Sequence, residues 1–147
     1  MKITLCGSIA FQDEALSVKE KLEKLGHEVA IWSLKLKDGK GQLISAKDYY
    51  KIRRVANDDE KWVWDRKAEA VLEHFDKVAW SDAILVTNYD KNDVQGYIGG
   101  NTLMEMGLAF FLKKKIYLLN QVPELAYKEE ILGVKPIILN GDLSKIS

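Results

Sequence analysis

Asp82-Ala83-Ile84-Leu85-Val86-Thr87 is apolar almost throughout and gives way to a polar stretch at Asn88. A continuous run of this length suits a central strand covered on both faces, as in a parallel sheet. Working outward, Ile3–Cys6, His27–Trp32, Lys115–Leu119 and Pro136–Leu139 read as further strands. Helical stretches fall between them. Gln12–Leu25 carries Leu16, Lys19, Leu22 and Leu25 at helical spacing, with Gly26 where a C-terminal cap belongs. Asn57-Asp58-Asp59-Glu60 opens a long helix to about Trp80, its acids suited to the positive helix end. Thr102–Leu112 and the shorter Pro123–Leu132 complete the set, and Ser33–Val55 reads as the least regular part. Five alternations of strand and helix imply an α/β three-layer sandwich, flavodoxin-like or Rossmann-like. Its five-stranded parallel sheet is expected in the order 2-1-3-4-5, in one domain over 1–147.

The chain has 147 residues, 47% hydrophobic and 30% charged, enough for one buried core. Twenty-two basic residues balance 22 acidic ones, which argues against a dedicated nucleic-acid binder or attraction to an anionic membrane. A single cysteine makes no intrachain disulfide. With two histidines beside it, a four-ligand structural zinc site is not expected, and no other cofactor is. Neither a signal peptide nor a membrane span is read, so the expected location is cytoplasmic.

Sheets of this kind bind ligands at the carboxyl ends of their strands, near the switch point. Gly7-Ser8-Ile9 and the Asn88–Thr102 loop would meet there. Glu105 is the only charged residue between Asp93 and Lys113, on an otherwise apolar helix. A carboxylate so placed is paired, capped or functional. Thr102-Leu103-Met104-Glu105 matches the capping box, and a first-turn carboxylate is kept ionised by the helix dipole. Gly99-Gly100-Asn101-Thr102 is either a plain turn or a close backbone approach to a ligand. It fits neither the dinucleotide fingerprint nor the P-loop. His74 sits at the edge of the stripe Trp64, Ala68, Val71, Phe75, Val78, as a core-edge histidine or a general acid. Lys35–Arg54 is locally basic, either a solvated loop or a lid over an anionic substrate.

Leu5-Cys6-Gly7-Ser8-Ile9 after the first strand and Gly-Asn-Thr-x-x-Glu-Met-Gly (Gly100–Gly107) resemble the nucleoside 2-deoxyribosyltransferase-like superfamily, which includes 2'-deoxynucleoside 5'-phosphate N-hydrolases. Ser81–Val86 and the strand order agree with the resemblance. It implies that Glu105 attacks C1' of a deoxyribose, so that the base leaves and a glycosyl ester forms. Water or a second base then releases the sugar. It further implies that Gly7, Ser8 and Ile9 hold the sugar or its 5' end. Asn88, Gly99, Gly100, Asn101 and Thr102 would complete the substrate site. The expected partners are a small-molecule nucleoside or nucleotide and a second copy of the chain, in a homodimer or higher homo-oligomer.

The chain departs from the nucleotide hydrolases at several positions. Their aspartate late in the helix before the third strand falls, by spacing, at His74, which is expected to take the acid's place. Their early tyrosine is Thr4, an arginine is Ala10, and a serine six residues before the nucleophile is Gly99. Asn88–Tyr97 has no counterpart there. A non-catalytic nucleotide-binding or sensing protein, and a ribonucleotide phosphoribohydrolase sharing Gly-x-Thr-x-x-Glu, are the alternatives.

Overall fold

The computed structural model describes residues 1–147. In chain order its elements are β1 (Lys2–Cys6), α1 (Gln12–Lys24), β2 (Glu28–Ala30), β3 (Lys35–Lys37), β4 (Leu43–Ser45), α2 (Ala46–Val55), α3 (Lys61–Trp80), β5 (Ala83–Val86), α4 (Gly100–Phe111), β6 (Lys115–Leu118), α5 (Lys128–Gly133) and β7 (Ile137–Ile138).

Alternation along the strands sorts the layers. Ile3, Leu5, Ala83 and Leu85 face one side of the sheet, where Val18 and Leu22 of α1 and Ile146 near the C-terminus cover them. Cys6, Ile84 and Val86 face the other, against Val78 of α3, Met106 and Ala109 of α4 and Ile131 of α5. Thr4 shares that second face, its hydroxyl donating to the Lys77 carbonyl at 2.7 Å. All four residues of β5 are buried. A fully buried Val, Leu or Ile contributes about 1.5–3 kcal/mol, so β1 and β5 anchor the sheet.

The sheet runs β2-β1-β5-β6-β7 with every pairing parallel. This is the α/β sandwich and the strand order read from the sequence. The chain changes direction across the sheet between β1 and β5, so the loops leaving these two strands meet at one crevice. No helix is long and apolar enough to cross a membrane.

Three local readings are corrected. Ser33–Val55 is regular: β3 and β4 pair as an antiparallel hairpin, and α2 follows directly. Asp38 Oδ1 closes the hairpin by accepting from Lys40 and Gln42, and the Ser45 hydroxyl caps α2 by accepting from Asp48 N at 3.0 Å. Next, α4 starts at Gly100 with Gly99 as N-cap, so Thr102 lies inside the helix and no capping box forms. Glu105 therefore falls in the second turn. Finally, the inward stripe of α3 is Val63, His74 and Val78, with Ala68 exposed and Val71 half-buried. His74 lies within the buried face, not at its edge.

Candidate functional site

Gly7 leaves β1 beside Thr87, which leaves β5. A Cβ at Gly7 would lie 2.4 Å from Thr87 Oγ1, so only glycine lets these two loops close on each other. The crevice above them is a cavity of about 330 Å³. Gly7, Ser8 and Ile9 line one wall and Gly99, Gly100, Asn101 and Thr102 another. The loops expected to meet do meet. Asn88 belongs elsewhere: it is buried outside the cavity lining, its amide donating to the Gly96, Asn120 and Gln121 carbonyls while Oδ1 accepts from Asn120 N. It ties the loop after β5 to the loop after β6.

The rest of the lining comes partly from the basic stretch read as a solvated loop or a lid and partly from two lysines, Lys67 and Lys91, that the sequence did not single out. Tyr50, Arg53 and Arg54 of α2, Lys67 of α3 and Lys91 of the loop after β5 bring four cations, and no Asp or Glu lines the cavity. α2 is held over the crevice because the Tyr49 hydroxyl donates to the Val63 carbonyl at 2.5 Å, and the hairpin because Arg66 Nε donates to the Lys37 carbonyl at 2.7 Å. Arg53 and Arg54 then flank the Tyr50 ring, their guanidinium carbons 4.8 and 5.7 Å from its centroid. Arg53 Nε is buried without a hydrogen-bond partner.

Lys91 owes its place to a tight turn. Lys91 and Val94 exchange backbone hydrogen bonds of 3.0 and 2.9 Å, and Asn92 and Asp93 between them both take positive φ. Two consecutive left-handed residues define the turn type that best matches strand twist, and Asn and Asp tolerate it. The Lys91 ammonium comes back to donate to the Ser8 hydroxyl at 3.0 Å and the Tyr50 hydroxyl at 3.2 Å.

Beneath the cavity lie Cys6, His74 and Glu105, all buried. Asn101 Nδ2 donates to Glu105 Oε1 at 2.9 Å, while Asn101 Oδ1 is buried with no donor. Cys6 Sγ lies 3.6 Å from His74 Nε2, and His74 Nε2 lies 3.9 Å from Glu105 Oε1. That last pair is not an ion pair at neutral pH. Burial, with Lys77 nearby, pushes the imidazole down to about 4, and burial pushes the Glu105 carboxyl up to about 7 against the pull of Cys6 and Lys67. Past the first turn the helix dipole fades, and desolvation sets the direction of the Glu105 shift. Lys67, half-buried in front of this group, is lowered to about 8 by burial and by Arg53, against the opposing pull of Glu105.

His74 opens instead on a neighbouring cavity of about 280 Å³, walled also by Trp32, Tyr49 and Glu73. Ile9, Arg53 and Lys67 line both cavities and so form the partition between them. The structure thus brings together Gly7, Ser8, Ile9, Gly99, Gly100, Asn101, Thr102, Glu105 and His74. To these it adds Tyr50, Arg53, Arg54, Lys67, Lys91 and Cys6.

No protein-family model and no curated protein matches the sequence. Solved structures of similar fold include the 2-deoxyribosyltransferase of Bacillus psychrosaccharolyticus, 16% identical with a TM-score of 0.48 over 80% of this chain and 71% of that one. The CMP N-glycosidase BcmB of Clostridium botulinum is 19% identical, with a TM-score of 0.49 over 95% of this chain and 90% of its own. A conserved protein of Enterococcus faecalis V583 is 17% identical, with a TM-score of 0.44 over 82% of this chain and 64% of its own.

Proposed function

We propose that the protein breaks or exchanges the N-glycosidic bond of a 2'-deoxynucleoside 5'-monophosphate, with Glu105 as nucleophile. The observation that carries this reading is a buried carboxyl, oriented by Asn101, beneath a cavity lined by four cations and no acid. A neutral nucleoside leaves the four cations without a counter-charge, whereas a phosphate dianion suits them. Ser8, Tyr50, Lys91 and the two arginines take the phosphate, in place of the contacts missing at Ala10 and Gly99. Asn101 Oδ1, buried and without a donor, accepts from a sugar hydroxyl.

In the first step a Glu105 oxygen bonds to C1' and the bond from C1' to the base breaks. The electron pair leaves with the base, which takes a proton from the Lys67 ammonium. In the second step water or a free base attacks C1', the ester opens, and the proton released returns to Lys67. His74, neutral at pH 7, packs beside the carboxyl and shields it.

A homodimer belongs to the same reading. Met104, Gly107 and Phe111 form an exposed stripe on α4, and Ala68 and Leu72 are exposed on α3, which packs against α4. Met104 also lines the cavity, so a second copy seated on this face would border the substrate.

Base release from a panel of 2'-deoxynucleosides, ribonucleosides and their 5'-monophosphates, followed chromatographically with and without a second free base, tests the proposal. Release or exchange confined to deoxynucleoside monophosphates is expected. Binding of a monophosphate without base loss would establish a sensor instead, and a preference for ribonucleotides a phosphoribohydrolase.

A further inference from the structure

We propose that Cys6 Sγ, His74 Nε2 and a Glu105 carboxylate oxygen form a three-ligand site for Zn²⁺, and that its occupation arrests the site above it. The arrest rests on the reading of Glu105 as nucleophile; the binding does not.

The three ligand atoms all lie within 4.8 Å of one another, on three different elements: the end of β1, the middle of α3 and the second turn of α4. Zinc holds thiolate sulfur at about 2.3 Å and imidazole nitrogen at about 2.0–2.1 Å, which in a tetrahedron sets sulfur and nitrogen about 3.5–3.6 Å apart. Cys6 Sγ and His74 Nε2 are 3.6 Å apart, so that edge is already formed. The nitrogen–oxygen edge of the same tetrahedron is about 3.3–3.4 Å. His74 Nε2 and Glu105 Oε1 stand at 3.9 Å, and no two of the three ligand atoms are more than 4.8 Å apart, so the carboxylate has to draw in toward the nitrogen and the sulfur when a metal binds.

Thiolate, imidazole and carboxylate together are a zinc ligand set, and three protein ligands leave the fourth corner to water. Asn101 is joined to Glu105 through Nδ2 and has its own Oδ1 buried without a donor. A metal-bound water is a donor suited to it. The route to the site is the cavity that His74 lines, on the far side of the Ile9–Arg53–Lys67 partition from the substrate cavity. On binding, the thiol proton leaves to solvent and a carboxylate lone pair goes to the metal. That lone pair is then not available to C1'.

Cobalt is the probe, because a thiolate on four-coordinate Co²⁺ gives a charge-transfer band and strong visible bands. Protein stripped with chelator is titrated with Co²⁺, then with Zn²⁺, while base release is followed in parallel. The expected result is a saturable cobalt–thiolate band, bleached by Zn²⁺, absent in Cys6→Ser and reduced in His74→Ala. Turnover should fall in proportion to the Zn²⁺ bound and return with chelator. A wild-type protein without the band overturns the site, and this reading does not depend on how the variants fold. A band accompanied by turnover indifferent to Zn²⁺ overturns the arrest. A band on a protein that turns over no substrate upholds the site and counts against the nucleotide reading instead.

Discussion

Glu105 carries two consequences at the scale of the single residue. As nucleophile it has no substitute within the cavity lining, so Glu105→Gln is expected to abolish base release while leaving the circular dichroism spectrum unchanged. Full activity in that variant would remove Glu105 from the mechanism. The second consequence concerns stability. Burial raises its carboxyl from the ordinary 4.5 to about 7, so between those values the unfolded chain gives up a proton that the folded chain keeps. Stability from this group is complete below pH 4.5 and drains away as pH rises through 7, a loss of about 3 kcal/mol. In chelator-containing buffer, Glu105→Gln should melt progressively higher than the wild type as pH goes from 5 to 8. A pH-independent difference would show that the carboxyl titrates normally. Glu105 was legible in the sequence because it stands alone in an apolar helix. Lys67 was not, because a basic residue on a charge-rich helix looks solvated until the partner elements show which face it is on. The surroundings of Cys6 were not legible either, because its neighbours come from residues 74 and 105, far along the chain.

Of the four cations in the crevice, α2 supplies two, and the hairpin before it sets where α2 begins. β3 and β4 have three residues each, too few for a period of two to declare itself among the lysines of that stretch. The signal that was present was Ser45 three residues before Asp48, a helix start that the structure confirms. Ser45→Ala is expected to cost about 1 kcal/mol in chemical denaturation. It should also raise KM more than it lowers kcat, because α2 carries Tyr50, Arg53 and Arg54. The turn at Asn92-Asp93 makes a parallel case. The stretch from Asn88 to Tyr97 read as part of the ligand loop and as an insertion, with no role for Lys91, yet its left-handed pair aims Lys91 at Ser8 and Tyr50. Lys91→Met should raise KM for a monophosphate roughly ten- to hundredfold, the worth of one charge-assisted hydrogen bond, and leave any nucleoside activity unchanged. An equal loss on both substrates would mean that Lys91 only braces the loop.

At the scale of the whole molecule the sequence was most informative. The all-apolar run at Ala83–Val86 and the alternation of elements led to the observed sheet order, since buried parallel strands leave little choice of composition. How copies associate is a different matter, because an exposed apolar stripe and a buried one look alike in one dimension. Phe111 of α4 is 80% exposed and Leu72 of α3 64%, on two helices that pack against each other. Phe111→Glu is expected to halve the mass seen by light scattering on a sizing column, and an unchanged mass would place any interface elsewhere. The pairing of β1 with β5 has a consequence for birth as well as for architecture. Ile3 leaves the ribosome eighty positions ahead of Ala83, its neighbour in the finished sheet. At roughly 5–20 residues per second the amino-terminal strand waits on the order of ten seconds, with β2 as its only strand partner. A nascent chain arrested before Asp82 should therefore be protease-sensitive throughout, and resistance should arrive abruptly once the later strands have been translated.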